Sequence, residues 1–395
     1  MGPVRRLGHT RRSSPMPDPG PFSLAHNSRS SRSDESSAFV PLGDSSEFQV
    51  TAEFDGGTGL SEECADTIRE CLDRSGFVIV DGLLTRREAD AGQGLIDQTV
   101  NDPKRHMSQF ASETDNRYRR RNFCSLPSTP ESLRFVSTLC RRLEPVISEY
   151  CGRSRPLLEI TTLTSHQGSS HQYIHRDPDC VLSMLVAVDD IAPEQGGTLF
   201  VPGTHKYGGA NIRMDGRAFE FMELYRIACN FRILAYNLKA LLRMRRCGHP
   251  NLEPGEFRDR VFSRQQDDHQ PNLLRFVTGK TYQFRVGMLG PRNLWKLFRY
   301  RKLLSESFRM VRTAPRKGSV ILFRSDLMHA GGDNRSERPR NLLSLSIGRD
   351  VVNPDQWDLS YSPDPTLRAN PQTYGDLLKE MDSPVPVGSA REANR

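Results

Sequence analysis

The chain lacks any run of eighteen consecutive apolar residues, so its sequence offers no candidate for a membrane-spanning helix. It also lacks a C-x-x-C pair and a secretory signal, although it has eight cysteines, at positions 64, 71, 124, 140, 151, 180, 229 and 247. Cysteines scattered in this way are typical of a reducing compartment, where thiols stay free. The sequence therefore predicts a soluble, intracellular protein, most simply a cytoplasmic one.

Residues 1–48 contain few large apolar side chains and are rich in serine, arginine and proline. Such a segment cannot bury enough surface to offset the entropy of ordering its backbone, so we predict a disordered tail. Its arginine- and serine-rich beginning is of the kind found in organelle transit peptides, but five prolines disfavour the amphipathic helix that such a signal needs. Organelle transit stays open as an alternative to a cytoplasmic location.

A globular pattern begins near Ser61, where an N-capping serine precedes two glutamates and predicts a helix to about Arg74. Further helices are predicted from Thr85 and from Thr129 to about Tyr150. Apolar or alternating runs predict strands at 76–80, 157–164, 181–188, 318–323 and 341–348. Many short strands between glycine- and proline-containing turns, flanked by helices, favour a mainly β fold, a double-stranded β-helix (jelly roll, cupin-like) barrel. We assign this domain to residues 49–362 and a C-terminal helix or tail to 363–395.

The sequence His175-Arg176-Asp177 predicts a metal site together with His329. In an extended strand the side chains of residues 175 and 177 point to one face, and the strand at 318–323 is expected to deliver His329 at its end. Two imidazoles and one carboxylate bind one side of an octahedral ion and leave positions open, as in non-haem Fe(II) oxygenases. The same ligand types also suit zinc, so a zinc hydrolase is an alternative.

Arg340 opens the last predicted strand and shares its parity with Ser344 and Ser346. Its guanidinium is therefore expected on a face that is kept small and polar, where a carboxylate could bind to both branches of the fork. Arg335 and Arg338 compete for this role, and the spacing favours Arg340.

Three segments together resemble the phytanoyl-CoA dioxygenase family of Fe(II)/2-oxoglutarate oxygenases. Residues 172–177 (Q-Y-I-H-R-D) are similar to the family's Q-x-x-H-R-D metal strand. Residues 195–205 (Q-G-G-T-L-F-V-P-G-T-H) follow N-G-x-T-x-x-x-P-G-S-H with two mild substitutions. Residues 329–340 match the distal H-x-G-x-x-N-x-S-x-x-x-R. The resemblance covers about residues 60–205 and 315–350.

The resemblance implies that His175, Asp177 and His329 bind Fe(II) and that Arg340 pairs with the far carboxylate of 2-oxoglutarate. Gln172 and Thr198 are expected to donate hydrogen bonds to this cosubstrate. Dioxygen would be the second cosubstrate, with ascorbate as an optional supporting reductant and succinate and CO2 as co-products. Family halogenases lack the metal carboxylate, so Asp177 favours hydroxylation or a related oxidation of a small or medium organic substrate. His166, His171 and His205 are interpreted as structural or hydrogen-bonded residues.

An insertion, about residues 210–312, separates the motifs, and its charge differs from that of the whole chain. Positions 206–317 contain 24 Lys and Arg against 9 Asp and Glu, a net of 24 − 9 = +15, whereas the whole chain carries +7. Leu224, Ile227, Phe231, Leu234, Leu238 and Leu241 form one apolar helix face, and Arg232, Lys239, Arg243 and Arg246 flank it. A second basic amphipathic stretch spans 295–311.

Two interpretations of the insertion stay open. It could be a helical lid whose apolar stripe packs on the barrel mouth while its basic face is solvated. Alternatively, the basic flank could recruit an anionic substrate or surface, including nucleic acid. Oxygenases that dealkylate nucleic acid space their distal arginines differently, which disfavours nucleic acid as a partner. An oxygenase acting on nucleic acid or protein, or a non-catalytic metal-binding relative, remains the alternative function. The sequence does not indicate the oligomeric state.

Overall fold

Two β-sheets form the centre of the computed structural model, which describes residues 42–102, 120–177, 180–207, 216–246, 291–300, 309–348, 367 and 371–380. The chain divides into two units, Met1–Ala38 and Phe39–Arg395, and every described residue belongs to the second. The strands are β1 Leu42–Gly43, β2 Gln49–Thr51, β3 Phe77–Asp81, β4 Arg121–Ser125, β5 Leu157–Ser165, β6 Cys180–Ala187, β7 Thr198–Phe200, β8 Met310–Arg312, β9 Val320–Arg324, β10 His329–Gly331 and β11 Arg340–Gly348.

The larger sheet, here called the major sheet, has seven strands in the order β2-β3-β9-β6-β11-β5-β4, and the minor sheet has four in the order β1-β8-β7-β10. The helices are α1 Glu62–Ser75, α2 Arg86–Asn101, α3 Pro130–Arg142, α4 Glu144–Tyr150, α5 Gly216–Arg246, α6 Pro291–Arg299 and α7 Tyr374–Glu380. Two facing sheets with flanking helices confirm the predicted mainly β, jelly-roll fold class.

Local sequence explains where the N-terminal helices begin. The Ser61 side chain accepts a hydrogen bond from the Cys64 amide at the start of α1, and Thr85 and Thr129 each form a capping box. The single helix predicted from Thr129 to Tyr150 is instead two helices, α3 and α4, with the break at Leu143. Pro145 accounts for this difference, because it has no amide hydrogen to continue the ladder of the preceding helix.

The strand β11 runs through the major sheet between β5 and β6, antiparallel to both. Its odd-numbered residues Leu343, Leu345 and Ile347 are buried in the main hydrophobic core. The opposite face carries Arg340, Ser344 and Ser346, and these side chains line a cavity. The alternation of β11 therefore separates a packed face from a polar, cavity-facing one, as its sequence predicts.

The minor sheet has short strands whose two faces have different neighbours. The side chains of Thr198 and His329 line the cavity, whereas those of Leu199 and Ala330 belong to a second hydrophobic cluster. That cluster includes residues of α5, among them Met222, Leu224, Tyr225, Cys229, Ile233 and Leu234. Helix α5 thus covers the face of the minor sheet that points away from the cavity.

This position differs from the lid interpretation, in which the apolar stripe of the insertion packs on the barrel mouth. Leu224, Ile227 and Leu234 are buried as expected of a packed stripe, but Leu224 and Leu234 pack on the outer face of the minor sheet. Arg232 and Lys239 of the basic flank are exposed; the side chains of Arg243 and Arg246 lie outside the described residues.

The structure also shifts two predicted boundaries. Residues 42–48, assigned by sequence to the tail, are ordered: β1 pairs with β8, and the Phe48 ring lies 4.6 Å from that of Phe77. Residues 1–41, the rest of the predicted tail, lie outside the described residues. At the other boundary, Met310–Arg312 was assigned to the insertion but forms β8 of the minor sheet, paired with β7.

The predicted C-terminal segment, 363–395, contains helix α7, which contacts α3. Its buried Tyr374 and a hydrogen bond from Arg141 Nη2 to the Leu378 carbonyl (2.9 Å) attach it to the helical layer. Among the described residues, no helix combines the length and apolarity that crossing a membrane requires.

Candidate metal centre

The side chains of His175, Asp177 and His329 converge at one point on the cavity wall. One ligand atom from each lies within 4.8 Å of the others, and no other group of this kind occurs in the described part of the chain. The Nε2 atom of His329 is 3.3 Å from Asp177 Oδ2, and the two imidazole centroids are 4.4 Å apart. All three side chains are largely buried. This donor set, two imidazoles and one carboxylate, suits a divalent transition metal.

Hydrogen bonds to the backbone determine which imidazole nitrogen is available. His175 Nδ1 lies 2.7 Å from the Tyr173 carbonyl oxygen, and His329 Nδ1 lies 3.0 Å from that of Leu327. Because a carbonyl oxygen can only accept, each Nδ1 must carry the hydrogen, which leaves Nε2 with its lone pair. Metal-binding histidines are usually oriented by such a second hydrogen bond. Both rings therefore present the nitrogen that a metal needs.

The electrostatics of the triad act on His329. Burial alone favours the neutral ring, but the neighbouring Asp177 carboxylate outweighs it and raises the pKa of His329 above its ordinary value. A proton and a metal ion therefore compete for the same position between these two side chains.

The local chain differs from the predicted strand geometry in two ways. Residues 171–177 form no regular strand; His175 makes an isolated bridge to His329, with reciprocal amide–carbonyl bonds of 2.9 Å. In addition, His329 does not end β9 but begins β10, because a turn after Arg324 carries the chain from the major to the minor sheet. The triad is therefore assembled on the minor-sheet side of the cavity.

Arg340 lies in the same cavity, which has a volume of about 110 Å³ and is lined by both sheets. The residue is 3% exposed, and its Nη2 donates to Ser165 Oγ at 3.0 Å. Its Nε and Nη1 atoms have no hydrogen-bond partner among the described residues. Burial lowers the pKa of Arg340 to about 10. A buried guanidinium with two unused nitrogen donors fits an anionic ligand in the cavity.

The competing arginines do not reach the cavity. Arg335 and Arg338 are exposed, and Arg338 Nη2 pairs with Asp189 Oδ2 at 3.0 Å on the surface. Of the three arginines considered from the sequence, the structure brings only Arg340 to the triad's cavity.

Gln172 and Thr198 both line the cavity, as the predicted hydrogen-bond donors would have to. The Gln172 Oε1 atom accepts from the Gly331 amide at 2.7 Å, so the group left to donate to a ligand is the side-chain amide nitrogen. Thr198 uses its backbone carbonyl to accept from Thr313, through both the amide and Oγ1. Gln172 is thus bonded to the strand that begins with His329, and Thr198 to the residue that follows β8.

Two charged residues that line the cavity lie outside the sequence motifs. Arg121, the first residue of β4, pairs in register with Ser165, which in turn pairs with Arg340. Its Nη2 donates to the carbonyls of Ser170 and Gly332, both at 2.6 Å. Since β4 is short and lies outside every motif, only the strand register reveals this second buried guanidinium.

The other is Glu159 of β5, whose carboxylate accepts from Thr161 Oγ1 at 2.6 Å and Ser346 Oγ at 3.3 Å. Burial raises the pKa of Glu159 to about 7; the two hydrogen bonds oppose this shift, and the charge of Asp177 adds to it. A single acid inside an otherwise apolar and threonine-rich strand is the one sequence feature that could have marked it.

The remaining histidines have structural partners. His171 is fully buried with Nε2 3.0 Å from Asp333 Oδ1. His166 Nε2 lies 3.0 Å from Asn122 Nδ2, and His205 Nε2 lies 3.1 Å from the Asp73 carbonyl oxygen. These contacts agree with the structural roles expected from the sequence.

Comparison with known proteins supports the resemblance seen in the motifs. The model of the phytanoyl-CoA dioxygenase (PhyH) family matches residues 72–224, which confirms the predicted family resemblance over that segment. Among curated proteins, no sequence matches this chain.

Several solved structures are similar to this chain at low sequence identity. HygX from Streptomyces hygroscopicus, with nickel, 2-oxoglutarate and hygromycin B bound, is 15% identical, with 79% of this chain and 98% of that chain covered and a TM-score of 0.39. EctD from S. alaskensis in its apoform is 15% identical, with 76% and 80% covered and a TM-score of 0.42. The carbocyclase SnoK from nogalamycin biosynthesis is 14% identical, with 74% and 87% covered and a TM-score of 0.38.

Proposed function

We propose that this protein is an Fe(II)/2-oxoglutarate-dependent oxygenase that hydroxylates, or otherwise oxidises, a small or medium organic substrate. The observation that carries the proposal is the pairing of two features in one cavity. A His-Asp-His triad presents both Nε2 atoms, and a buried guanidinium, Arg340, has two nitrogen donors that bond to none of the described residues. The PhyH family match over residues 72–224 agrees with this function.

The residues present fit the groups that the function requires. His175, Asp177 and His329 would hold the iron, and Arg340 would pair with the far carboxylate of 2-oxoglutarate. When bound, this metal and cosubstrate supply the activation of dioxygen and the oxidation of a C–H bond, with succinate and CO2 as co-products. The side-chain amide of Gln172 and the hydroxyl of Thr198 would orient the cosubstrate, since both line the cavity.

The cavity wall also suits chemistry that must exclude water. Phe123, Leu163, Leu185 and Leu342 line it together with the polar side chains. An apolar wall of this kind lowers the local dielectric, so that the interaction between Arg340 and a carboxylate is stronger than it would be in water.

The test is anaerobic reconstitution of the full-length protein with Fe(II), followed by calorimetric titration with 2-oxoglutarate. We expect binding that depends on the metal, and succinate release on addition of oxygen that increases when a metabolite library supplies the substrate. A protein that binds the metal but not 2-oxoglutarate would contradict the proposal and favour the zinc-hydrolase alternative. The non-catalytic alternative predicts binding of both ligands without any succinate.

The exposed basic side chains of α5 do not favour an action on nucleic acid or protein. The exposed Arg232 and Lys239 lie on α5, and α5 packs on the face of the minor sheet that points away from the cavity. A macromolecule bound to these side chains would be separated from the triad by the sheet itself.

A further inference from the structure

Within the described part of the chain, the segment that carries two of the three proposed metal ligands, residues 171–177, bonds on one side to the segment 329–331. On that side, Gln172 N donates to the Gly331 carbonyl at 3.0 Å, and His175 exchanges bonds with His329. The backbone groups of His171 and Ile174 bond elsewhere, and both residues are fully buried. A buried amide or carbonyl without a partner would destabilise this segment, so these groups need partners of another kind.

Helix α5 provides those partners through two asparagine side chains. Asn237 Oδ1 accepts from the His171 amide at 3.3 Å, and Asn237 Nδ2 donates to the His171 carbonyl at 3.0 Å. In the same way, Asn230 Oδ1 accepts from the Ile174 amide at 2.8 Å, and Nδ2 donates to its carbonyl at 3.4 Å. Each side-chain amide thus bonds both backbone groups of one residue, as a neighbouring strand would.

The spacing of the two asparagines explains why a helix can replace a strand here. Seven helical residues rise by about 10.5 Å and return to nearly the same face. Three extended residues, from His171 to Ile174, span about 10 Å. Seven residues of the helix and three residues of the extended segment therefore span nearly the same length. Seven residues before Asn230, Glu223 continues the row, with its Oε1 atom 3.8 Å from Arg176 Nη1.

A further contact from α5 reaches the segment that carries the third proposed ligand. The Tyr236 hydroxyl donates to Asp333 Oδ2 at 2.8 Å, and Asp333 Oδ1 pairs with His171 Nε2 at 3.0 Å. The charge on Asp333 is maintained at neutral pH, because His171 and these hydrogen bonds hold its pKa well below the ordinary value despite its burial. Helix α5 is thus linked to the chain on both sides of the triad.

We propose that Asn230 and Asn237 are positioning residues of the metal centre: by hydrogen-bonding the backbone of residues 171 and 174, they preorganise His175 and Asp177 for metal binding. The inference rests on the proposed function only as far as the metal site. It assigns to the insertion a role in the metal centre that neither a lid nor a binding surface would have. Groups that orient metal ligands typically change metal affinity by about 10–100-fold.

The experiment is a titration of the metal-free, full-length protein with Co(II), whose visible absorption reports the coordination of the bound ion. Asn230→Ala and Asn237→Ala are each expected to weaken Co(II) binding by about 10–100-fold and to change the absorption spectrum, because the ligands are less well oriented. Asn237→Asp retains an acceptor for the His171 amide but places a second acceptor against its carbonyl, so we expect Co(II) binding to stay weakened.

The matched control is Ile233→Ala, which removes a fully buried apolar side chain from the same helix, between the two asparagines. It should lower the melting temperature without changing the Co(II) spectrum or affinity. Asparagine variants that melt earlier but bind Co(II) as the wild type does would overturn the proposal, since the amides would then serve stability alone. If the alanine variants do not fold, the comparison of Asn237→Asp with Ile233→Ala decides in the same way.

Failure of the proposed function would give a different result. A wild-type protein that binds Co(II) but not 2-oxoglutarate counts against the oxygenase and leaves the positioning test intact. A wild-type protein that binds no Co(II) overturns both.

Discussion

The two sheets that enclose the cavity are stabilised in different ways. The strands β5, β6 and β11 of the major sheet are eight or nine residues long, and β11 pairs with both neighbours through long backbone ladders whose register shifts only near the end of β11. Strands β7, β8 and β10 of the minor sheet have three residues each, and their outer face is covered by α5. The sheet that presents Arg340 is held by its own backbone, whereas the side that presents the triad depends on side chains of a helix.

This difference means that the two sides of one site are held in place by different interactions. The long antiparallel ladder positions Arg340, because Arg340 pairs in register with Ser165 of β5 and the residues from Leu342 to Ser346 have partners in both β5 and β6. Three-residue strands cannot do this, and the buried asparagines of α5 provide the missing bonds. Substitutions on the two sides should therefore have different consequences for metal and cosubstrate binding.

The largest effect is expected from Asp177→Ala on the minor-sheet side. Loss of the only carboxylate in the triad should abolish turnover and weaken metal binding by more than the roughly 10–100-fold caused by losing an orienting group. Isothermal titration with Co(II) and a succinate assay would measure this. Asp189→Ala removes an exposed carboxylate and should leave both unchanged. Normal metal binding by Asp177→Ala would contradict the ligand assignment.

Arg340→Met tests the major-sheet side of the comparison. Removing the partner of a buried carboxylate costs about 3–5 kcal/mol, which corresponds to a loss of 2-oxoglutarate affinity of about 150- to 4,000-fold. Co(II) binding without cosubstrate should be unchanged, because Arg340 lies on the other sheet. The matched control is Arg338→Met, an exposed arginine two residues earlier. Equal losses of 2-oxoglutarate affinity in the two variants would contradict the assignment of Arg340 to the cosubstrate site.

A pair of leucine substitutions would sharpen the contrast between the sheets. Leu322→Ala in β9 and Leu199→Ala in β7 each remove a fully buried side chain and should lower the free energy of unfolding by about 2–5 kcal/mol. Only Leu199→Ala should also weaken Co(II) binding, because Leu199 lies in β7, which pairs in register with the strand β10 that begins with His329. Urea denaturation and Co(II) titration check the two effects. Equal Co(II) affinities of the two variants would contradict the proposed difference between the sheets.

The smallest effect concerns the helices beside the major sheet, where Glu88 of α2 pairs with Arg142 of α3 at 2.7 Å. Partial burial opposes ionisation, but Arg142 and the Thr85 cap outweigh it and lower the Glu88 pKa from 4.5 to about 2. A lowered pKa in the folded state means that this stabilisation is present above pH 4.5 and is lost as the pH falls towards 2. Because the pair is partly exposed, we expect at most about 1 kcal/mol.

Glu88→Gln should accordingly flatten the dependence of unfolding free energy on pH between 4.5 and 2, measured by urea titration. Co(II) affinity at neutral pH serves as the control and should not change. An unchanged pH dependence in the variant would mean that other carboxylates dominate acid unfolding.

The sequence predicts the triad, Arg340 and the longer strands for a common reason. Their signals are local: a ligand pair two residues apart, an arginine with the parity of two serines, and alternating strands of eight or nine residues. Arg121 and Glu159 were missed because they become part of the cavity only through strand register. Asn230 and Asn237 were missed because the apolar stripe of α5 does not show which polar residues are buried beside it.

Two errors have tertiary causes. The H-x-D segment was predicted to be a regular strand from its spacing alone, but its partners on one side are helix side chains rather than another strand. The stripe of α5 indicated correctly that one face of the helix is buried, but periodicity does not identify the surface on which that face packs. The structure identifies that surface, because it shows which side chains of the minor sheet point away from the cavity.

The two asparagines of α5, which lie seven residues apart, limit how this site could be built into another protein. A designer who copied the three ligands and Arg340 into a plain barrel would reproduce every sequence motif, yet leave the amide and carbonyl of two buried residues without partners. Such a graft would need either an added strand or a helix carrying asparagines seven residues apart. The positions of the sequence motifs are therefore not sufficient to design this site.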